Sequence, residues 1–108
     1  MIQKSAETHS VSIYLSGPLH EIEQACRREC LSRGLCVTVT PTRFVYTGGE
    51  ETGAVVGLVN YPRFPSTPAE IDARALDLAE KLVEATHQHS VLIVGPSGST
   101  WSTKREGV

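Results

Sequence analysis

Residues 35–61 read LCVTVTPTRFVYTGGEETGAVVGLVNY, and this stretch decides the fold. From Leu35 to Tyr46 valines alternate with threonine and aromatic residues, and this period of two predicts a β-strand. The glycine-rich segment Thr47–Gly53 has the composition of a turn, and Ala54–Tyr61 resumes as a second strand. The stretch therefore predicts a long β-hairpin, whose tip should reach beyond the helices that flank it in sequence.

A strand and a helix precede the hairpin. Apolar and polar residues alternate over 11–16, which predicts a half-buried strand, and Gly17 and Pro18 end the alternation. From Pro18 to Arg33 apolar residues recur at steps of three and four, and Gly34 is a natural helix stop. The sequence therefore predicts a first helix over 18–33.

A second helix and a last strand follow the hairpin. Thr67–Glu70 has the layout of a capping box with proline at the first helical position. Val91–Val94 predicts the fourth strand, and the residues from Gly95 onward are expected to form a loop or a short added edge strand around Trp101. The helix is predicted from an apolar stripe that comprises Ile71, Ala75, Leu78, Leu82 and Ala85.

The order of these segments predicts the fold class. Strand, helix, strand, strand, helix, strand is typical of an α+β, ferredoxin-like βαββαβ sandwich. We expect a four-stranded antiparallel sheet with a long hairpin between its second and third strands and two helices on one face. Residues 11–108 should form this single domain, preceded by a flexible N-terminal tail at 1–10.

The long hairpin also bears on assembly. In this topology it resembles the PII signalling proteins and the CutA family, and the resemblance implies a role for the hairpin in trimers. Both faces of the hairpin strands carry apolar side chains, whereas two helices can cover only one face of the sheet. The sequence therefore predicts a homo-oligomer joined through the sheet face or the hairpin.

Composition excludes several classes of protein. The 108-residue chain is 40% hydrophobic and 20% charged, which is typical of a globular protein. A net charge of −2 predicts no DNA binding and makes RNA binding less favoured. The apolar run Gly53–Val59 is too short to span a membrane, and Met1–Ser10 has no apolar core of a signal peptide, so a cytoplasmic protein without membrane contact is expected.

The segment Gly95–Thr100 resembles the opening of a Walker A loop. Thr100 and Trp101 stand where that motif requires glycine and lysine, and too few residues follow for the phosphate-binding helix. We interpret the segment as a strand-exit loop, and whether it binds an anion stays open.

The segment Ile13–Pro18 resembles the first strand of nucleoside 2-deoxyribosyltransferases and the shorter aromatic motif of RNA-recognition domains. The first resemblance implies a nucleophilic glutamate in a Gly-Thr-x-x-Glu segment, from which Gly48–Gly53 departs. The second implies stacking of Tyr14 on a base and further aromatic residues on the third strand, where only Tyr61 is found at the end. The favoured interpretation of Tyr14 is an aromatic residue on an open sheet face.

Other reactive side chains have structural interpretations. Cys26 and Cys30 lie one helical turn apart and could ligate zinc with histidines that follow the second helix, but they share the apolar stripe of the first helix and are expected in the core. Glu50 and Glu51 could bind a cation or act as an acid and a base. Because adjacent residues in a flexible turn are poorly preorganised for catalysis, a role in solubility is favoured for both.

The sequence thus favours a small, non-enzymatic cytoplasmic protein that acts by self-association and by binding a protein or small ligand. RNA binding through the open sheet face is the alternative, and a nucleoside-processing or metal-dependent role is the third. Enzymatic activity is left open, and no cofactor, metal or catalytic residue is predicted. The candidate ligand or partner surface comprises Tyr14, Arg43, Phe44, Tyr46 and Tyr61.

Overall fold

The computed structural model of the protein describes residues 1–107. These residues form one antiparallel sheet with strand order β2-β3-β1-β4-β5, together with two helices, which confirms an α+β fold. In chain order the elements are β1 (Ser10–Ser16), α1 (Leu19–Arg33), β2 (Thr38–Tyr46), β3 (Gly49–Val59), α2 (Pro68–Ala85), β4 (Ser90–Gly95) and β5 (Gly98–Thr103).

The sheet has five strands, so the prediction of four is wrong. The additional strand is β5, which pairs with β4 from Ser90 opposite Thr103 to Gly95 opposite Gly98. Gly98 has a φ of 146°, a conformation that side chains disfavour and that reverses the chain after Pro96 and Ser97. Of the two expectations for this segment, a loop or a short added edge strand around Trp101, the strand is found. It was left out of the predicted sheet because β5 is almost wholly polar and lacks the alternation of apolar residues by which strands are recognised.

The core lies on one side of the sheet. The buried side chains of β1, which are Val11, Ile13 and Leu15, face the same side as those of β3 and β4 and join the buried residues of both helices in one cluster. The alternation predicted over 11–16 is thereby confirmed, since the intervening residues are only half-buried. The opposite side, which the helices do not cover, is called the open face below.

The expected signals are found at the end of α1 and at the start of α2. Pro18 is the residue before α1 rather than its first, and Gly34 ends α1 in the left-handed region at a φ of 67°. At the start of α2 the capping box is confirmed: the Glu70 amide donates to Thr67 Oγ1 at 3.2 Å, and the Thr67 amide donates to Glu70 Oε1 at 3.0 Å. Neither helix of residues 1–107 has the length and apolar character needed to cross a membrane.

The hairpin of β2 and β3 extends beyond the rest of the sheet. β1 ends at Ser16, opposite Gly53 of β3, whereas β2 and β3 continue pairing with each other from Arg43 opposite Thr52 to Tyr46 opposite Gly49. The molecule measures 50 × 28 × 23 Å. The projecting hairpin therefore forms one wall beside the end of β1.

Residues just before β1 contact the rest of the fold. His9 is buried, and its Nε2 lies 2.7 Å from Oδ1 of Asp72 on α2. The Asn60 side chain donates to the Glu7 carbonyl at 2.8 Å. The division into a tail at 1–10 and a domain at 11–108 stays a prediction, but these contacts hold residues 7–9 against the sheet and α2.

Candidate functional site

Three of the five residues predicted to form a ligand or partner surface lie together on the open face. Tyr14 pairs with Val55, Phe44 with Glu51 and Tyr46 with Gly49, and these positions alternate with those that face the core. Tyr14 and Phe44 are half-buried and Tyr46 is exposed. The binding role of these side chains stays a prediction.

Arg43 and Tyr61 lie elsewhere. Arg43 alternates with Phe44 along β2 and so lies on the other side of the hairpin, where its Nη1 is 3.4 Å from Glu50 Oε1. Tyr61 follows the end of β3, and its ring centroid is 6.3 Å from that of Phe64. The five residues therefore do not form one surface, since only Tyr14, Phe44 and Tyr46 share the open face. RNA binding through that face stays a prediction.

A cleft of about 480 Å³ opens where β1 ends. On one side of β1 the hairpin continues, and on the other side β4 begins at Ser90. The Gly17 amide donates to the Thr52 carbonyl at 2.9 Å, after which the chain turns away into α1 and leaves the gap between hairpin and β4 open. The cleft is lined by Ser16, Tyr46, Glu51, Gln88, His89, Ser90, Trp101 and Arg105.

Glu51 is the carboxylate of this cleft. The Ser16 hydroxyl donates to Glu51 Oε2 at 2.8 Å, which joins the end of β1 to the hairpin. Desolvation, the charge of Glu51 and a hydrogen bond to it together raise the pKa of the Tyr46 phenol. The Glu51 carboxylate therefore lies beside the neutral Tyr46 phenol and accepts its hydrogen bond from Ser16.

Gly53 allows the hairpin to lie close to β1 at this point. A Cβ atom placed on Gly53 would lie 2.7 Å from a ring carbon of Phe44 and 2.9 Å from the Cα of Ser16. Both distances are shorter than van der Waals contact, so only glycine lets the Phe44 ring lie over the strand beside Ser16. The wall next to Glu51 is consequently apolar.

The opposite wall comes from the chain after α2 and from β5. His87 has a φ of 57°, and this left-handed residue redirects the chain at the end of α2. Gln88 follows, and its side-chain nitrogen lies 3.3 Å from the position of a Cβ atom on Gly17. Trp101 of β5 and Arg105 complete the wall, so that the cleft has a carboxylate on one side and a guanidinium and an indole on the other.

The cysteines lie outside this cleft. Cys26 is buried, and its pKa is raised to about 11 by burial first and then by the neighbouring Cys30 and Glu23, which keeps the thiol neutral. Within residues 1–107 there is no cluster of three or more histidine, cysteine, aspartate or glutamate side chains that could hold a metal ion. The expectation that the protein needs no metal or cofactor stays a prediction.

The sequence matches no known protein family, and no curated protein matches it. The structure, in contrast, is similar to solved structures of one enzyme. A phage SAM lyase in complex with S-methyl-5′-thioadenosine superposes with a TM-score of 0.74 and 15% identity, covering 100% of this chain and 98% of that chain. Phage SAM lyase in the apo state superposes with a TM-score of 0.68 and 17% identity at the same coverage. At this identity the likeness establishes a shared fold.

This finding corrects the function expected from the sequence. The prediction of a non-enzymatic protein is wrong, because the proteins that share its fold over the whole chain are an enzyme with a bound nucleoside ligand. The expectation rested on the absence of a catalytic motif. Residues that meet only in the fold leave no such motif.

The sequence did not indicate five residues of the cleft as site residues, and it gave Glu51 only a role in solubility. The five are Ser16, Gln88, Ser90, Trp101 and Arg105. One signal was available for Glu51: adjacent residues of a strand face opposite sides, so Glu50 and Glu51 could not act as one exposed pair. The structure confirms this separation, since Glu50 lies near Arg43 while Glu51 binds Ser16. Gln88 carries no comparable signal, because its position depends on how α2 ends.

Proposed function

We propose that this protein is an enzyme that cleaves S-adenosylmethionine (SAM) and releases S-methyl-5′-thioadenosine. The observation that carries the proposal is Glu51, a carboxylate that accepts a hydrogen bond from Ser16 and lines a cleft beside Tyr46. The fold in which this cleft lies is similar to that of phage SAM lyase over 100% of the chain.

The chemistry of the cleft supports this substrate. SAM carries a sulfonium and an ammonium cation, a carboxylate and an aromatic base. The cleft offers a matching set, with Glu51 for a cation, Arg105 for the carboxylate and an aromatic side chain for the base. Its volume of about 480 Å³ lies within the roughly 300–1,000 Å³ of small-molecule sites.

A lyase cleaves its substrate without adding water, so the proposed reaction needs a nucleophile within SAM itself. The SAM carboxylate attacks the γ-carbon of the same molecule and forms a five-membered lactone. The bond between this carbon and sulfur breaks, and its electron pair stays on sulfur, which becomes the neutral thioether of S-methyl-5′-thioadenosine. No water and no external proton is consumed, so the enzyme contributes mainly by holding the substrate in a folded conformation.

Each side chain has a role in that conformation. Glu51 binds a cationic group of the substrate and fixes the amino acid portion, while the Ser16 hydroxyl positions Glu51. Phe44 pairs with Glu51 across the hairpin, and its ring over Gly53 supports the strand that carries the carboxylate.

The test is incubation of the purified protein with SAM, followed by chromatography of S-methyl-5′-thioadenosine. Glu51→Gln keeps the size of the side chain but removes its charge and should lower kcat/KM about 100-fold or more. Glu21→Gln is the matched control, because this exposed carboxylate in the first turn of α1 does not line the cleft and its loss should leave the rate within about threefold. Equal rates for the two variants, or no product from the wild type, would refute the proposal.

The route of cleavage can be tested in water enriched in ¹⁸O. Intramolecular attack followed by opening of the lactone places the label in the carboxyl group of homoserine. Direct hydrolysis at the γ-carbon would place it in the hydroxyl group. Label in the hydroxyl group would contradict a lyase.

We further propose that the protein is a homo-oligomer and that β1 to β4 keep the ferredoxin-like arrangement, with β5 added at the edge. The projecting hairpin supports self-association, since β2 is an edge strand of the sheet and Val45 on it is 75% exposed on the side opposite the open face. The edge of such a strand is a template for pairing with another chain. The cytoplasmic location stays a prediction.

A further inference from the structure

We propose that Trp101 is the residue that recognises the nucleobase, by stacking against the adenine ring of the ligand. This inference rests on the proposed function and adds a specificity-determining residue to it. It also assigns a task to β5, the edge strand that the sequence left open as either a loop or a strand.

The register of the sheet places Trp101 in the cleft. Trp101 pairs with Leu92 of β4, and Leu92 pairs with Tyr14 of β1, so the three side chains form one row across the open face. Trp101 lines the same cleft as Glu51. The indole therefore approaches the site from the edge of the sheet, with Leu92 and Tyr14 beside it.

Exposure and apolar area single out this side chain. Trp101 is 53% exposed although it is the largest apolar side chain of the cleft, so a flat ligand can still cover it. Every nucleobase offers a π-face, and stacking on an aromatic side chain is a common way to bind it. A free indole face in a cleft is therefore suited to adenine.

The other aromatic residues near the cleft are less suited to stacking. Phe44 packs over Gly53, and Tyr14 is half-buried between neighbouring strands. Tyr46 is as exposed as Trp101, at 53%, but its single ring offers a smaller π-surface than the indole. Trp101 is therefore the side chain of the cleft with the largest exposed aromatic face.

The distance between Trp101 and Glu51 fits a ligand that carries a base at one end and a sulfur atom at the other. Trp101 is on β5 and Glu51 on β3, and the strand order separates them by three strand spacings of about 4.8 Å, or about 14 Å. Both side chains project into the gap from opposite walls. A base on Trp101 would leave the ribose between the walls and bring the sulfur towards Glu51.

Trp101 is the only tryptophan of the protein, so its fluorescence reports directly on this contact. Titration of the wild type with S-methyl-5′-thioadenosine should change the emission in a saturable manner. The probe 5-methylthioribose, which lacks the base, should leave the emission nearly unchanged. A saturable change of the same size with both probes would overturn the inference, and so would the absence of any change while calorimetry detects binding.

Variants supply a second measurement. Calorimetric Kd values for S-methyl-5′-thioadenosine should rise about 5- to 150-fold in Trp101→Ala and clearly less in Trp101→Phe, which keeps an aromatic face. Phe64→Ala is the matched control, because Phe64 is an exposed aromatic residue outside the cleft, and its Kd should equal that of the wild type. Circular dichroism verifies that each variant is folded.

The outcomes separate the two proposals. If the wild type cleaves SAM but Trp101→Ala binds S-methyl-5′-thioadenosine as tightly as the wild type, the role of Trp101 is wrong and the proposed function stands. If the wild type neither cleaves SAM nor binds S-methyl-5′-thioadenosine, both are wrong.

Discussion

The Ser16 hydroxyl donates a 2.8 Å hydrogen bond to Glu51 Oε2 across the junction between β1 and the projecting hairpin. Ser16 is the last residue of β1, and Glu51 lies on the part of β3 that has passed beyond it. The bond therefore attaches the hairpin to the body of the sheet at the point where the cleft opens. It also fixes the carboxylate on which the proposed function depends.

We expect Ser16→Ala to affect the enzyme less than Glu51→Gln does. Removing the hydroxyl takes away one positioning hydrogen bond, which corresponds to a loss of about 2- to 12-fold in kcat/KM. The carboxylate still lies beside the Tyr46 phenol in the cleft. Steady-state kinetics with SAM measure the effect, and a loss for Ser16→Ala as large as for Glu51→Gln would contradict a purely positioning role.

Helix α2 should dominate the stability of the fold. Leu78 and Leu82 are fully buried, so Leu78→Ala or Leu82→Ala is expected to lower the free energy of unfolding by about 2–5 kcal/mol. Thr67→Ala removes one capping hydrogen bond at the exposed start of α2 and should lower it by only about 0.5–2 kcal/mol. Urea denaturation ranks the three variants, and a cap variant less stable than both core variants would refute this order.

Cys26 predicts a loss of stability in alkali. Its pKa rises from 9.0 to about 11 on folding because burial disfavours the thiolate, so above pH 9 the unfolded chain loses this proton while the folded protein keeps it. The contribution of this thiol to the free energy of unfolding is complete below pH 9 and should be lost as the pH rises to about 11. The total loss should be about 2–3 kcal/mol. Thermal unfolding between pH 8 and pH 11 tests this, and Cys26→Ala should have the shallower slope. Identical slopes would show that this thiol does not contribute.

The mass in solution tests the proposed self-association. Light scattering at micromolar concentration should give a mass well above the 11.7 kDa of one chain, because the edge strand β2 and Val45 of the hairpin become buried between copies. Val45→Lys places a charge on this hairpin and should lower the mass towards that of one chain. A mass of one chain at every dilution would exclude a homo-oligomer.

Local patterns predicted the elements whose signals are contained in a few neighbouring residues. The capping box at Thr67, the glycine stop at Gly34 and the alternation of Val11, Ile13 and Leu15 are each found where the sequence places them. They are predictable because hydrogen bonds within one turn, or side chains two residues apart, determine them. The polar strand β5 lacks such a signal, because it is extended only through its antiparallel pairing with β4.

The sequence by itself determined an α+β chain with two helices and a long hairpin, because helical and strand periodicity act over short distances along the chain. Only the tertiary structure decided the cleft. The residues of the cleft are far apart in sequence, among them Ser16, Glu51, Gln88 and Trp101. They meet because β1 pairs with β3 on one side and with β4 on the other. Since β1 is short, a gap remains at its end. Strand pairing between distant segments depends on the whole fold, and no local pattern encodes it.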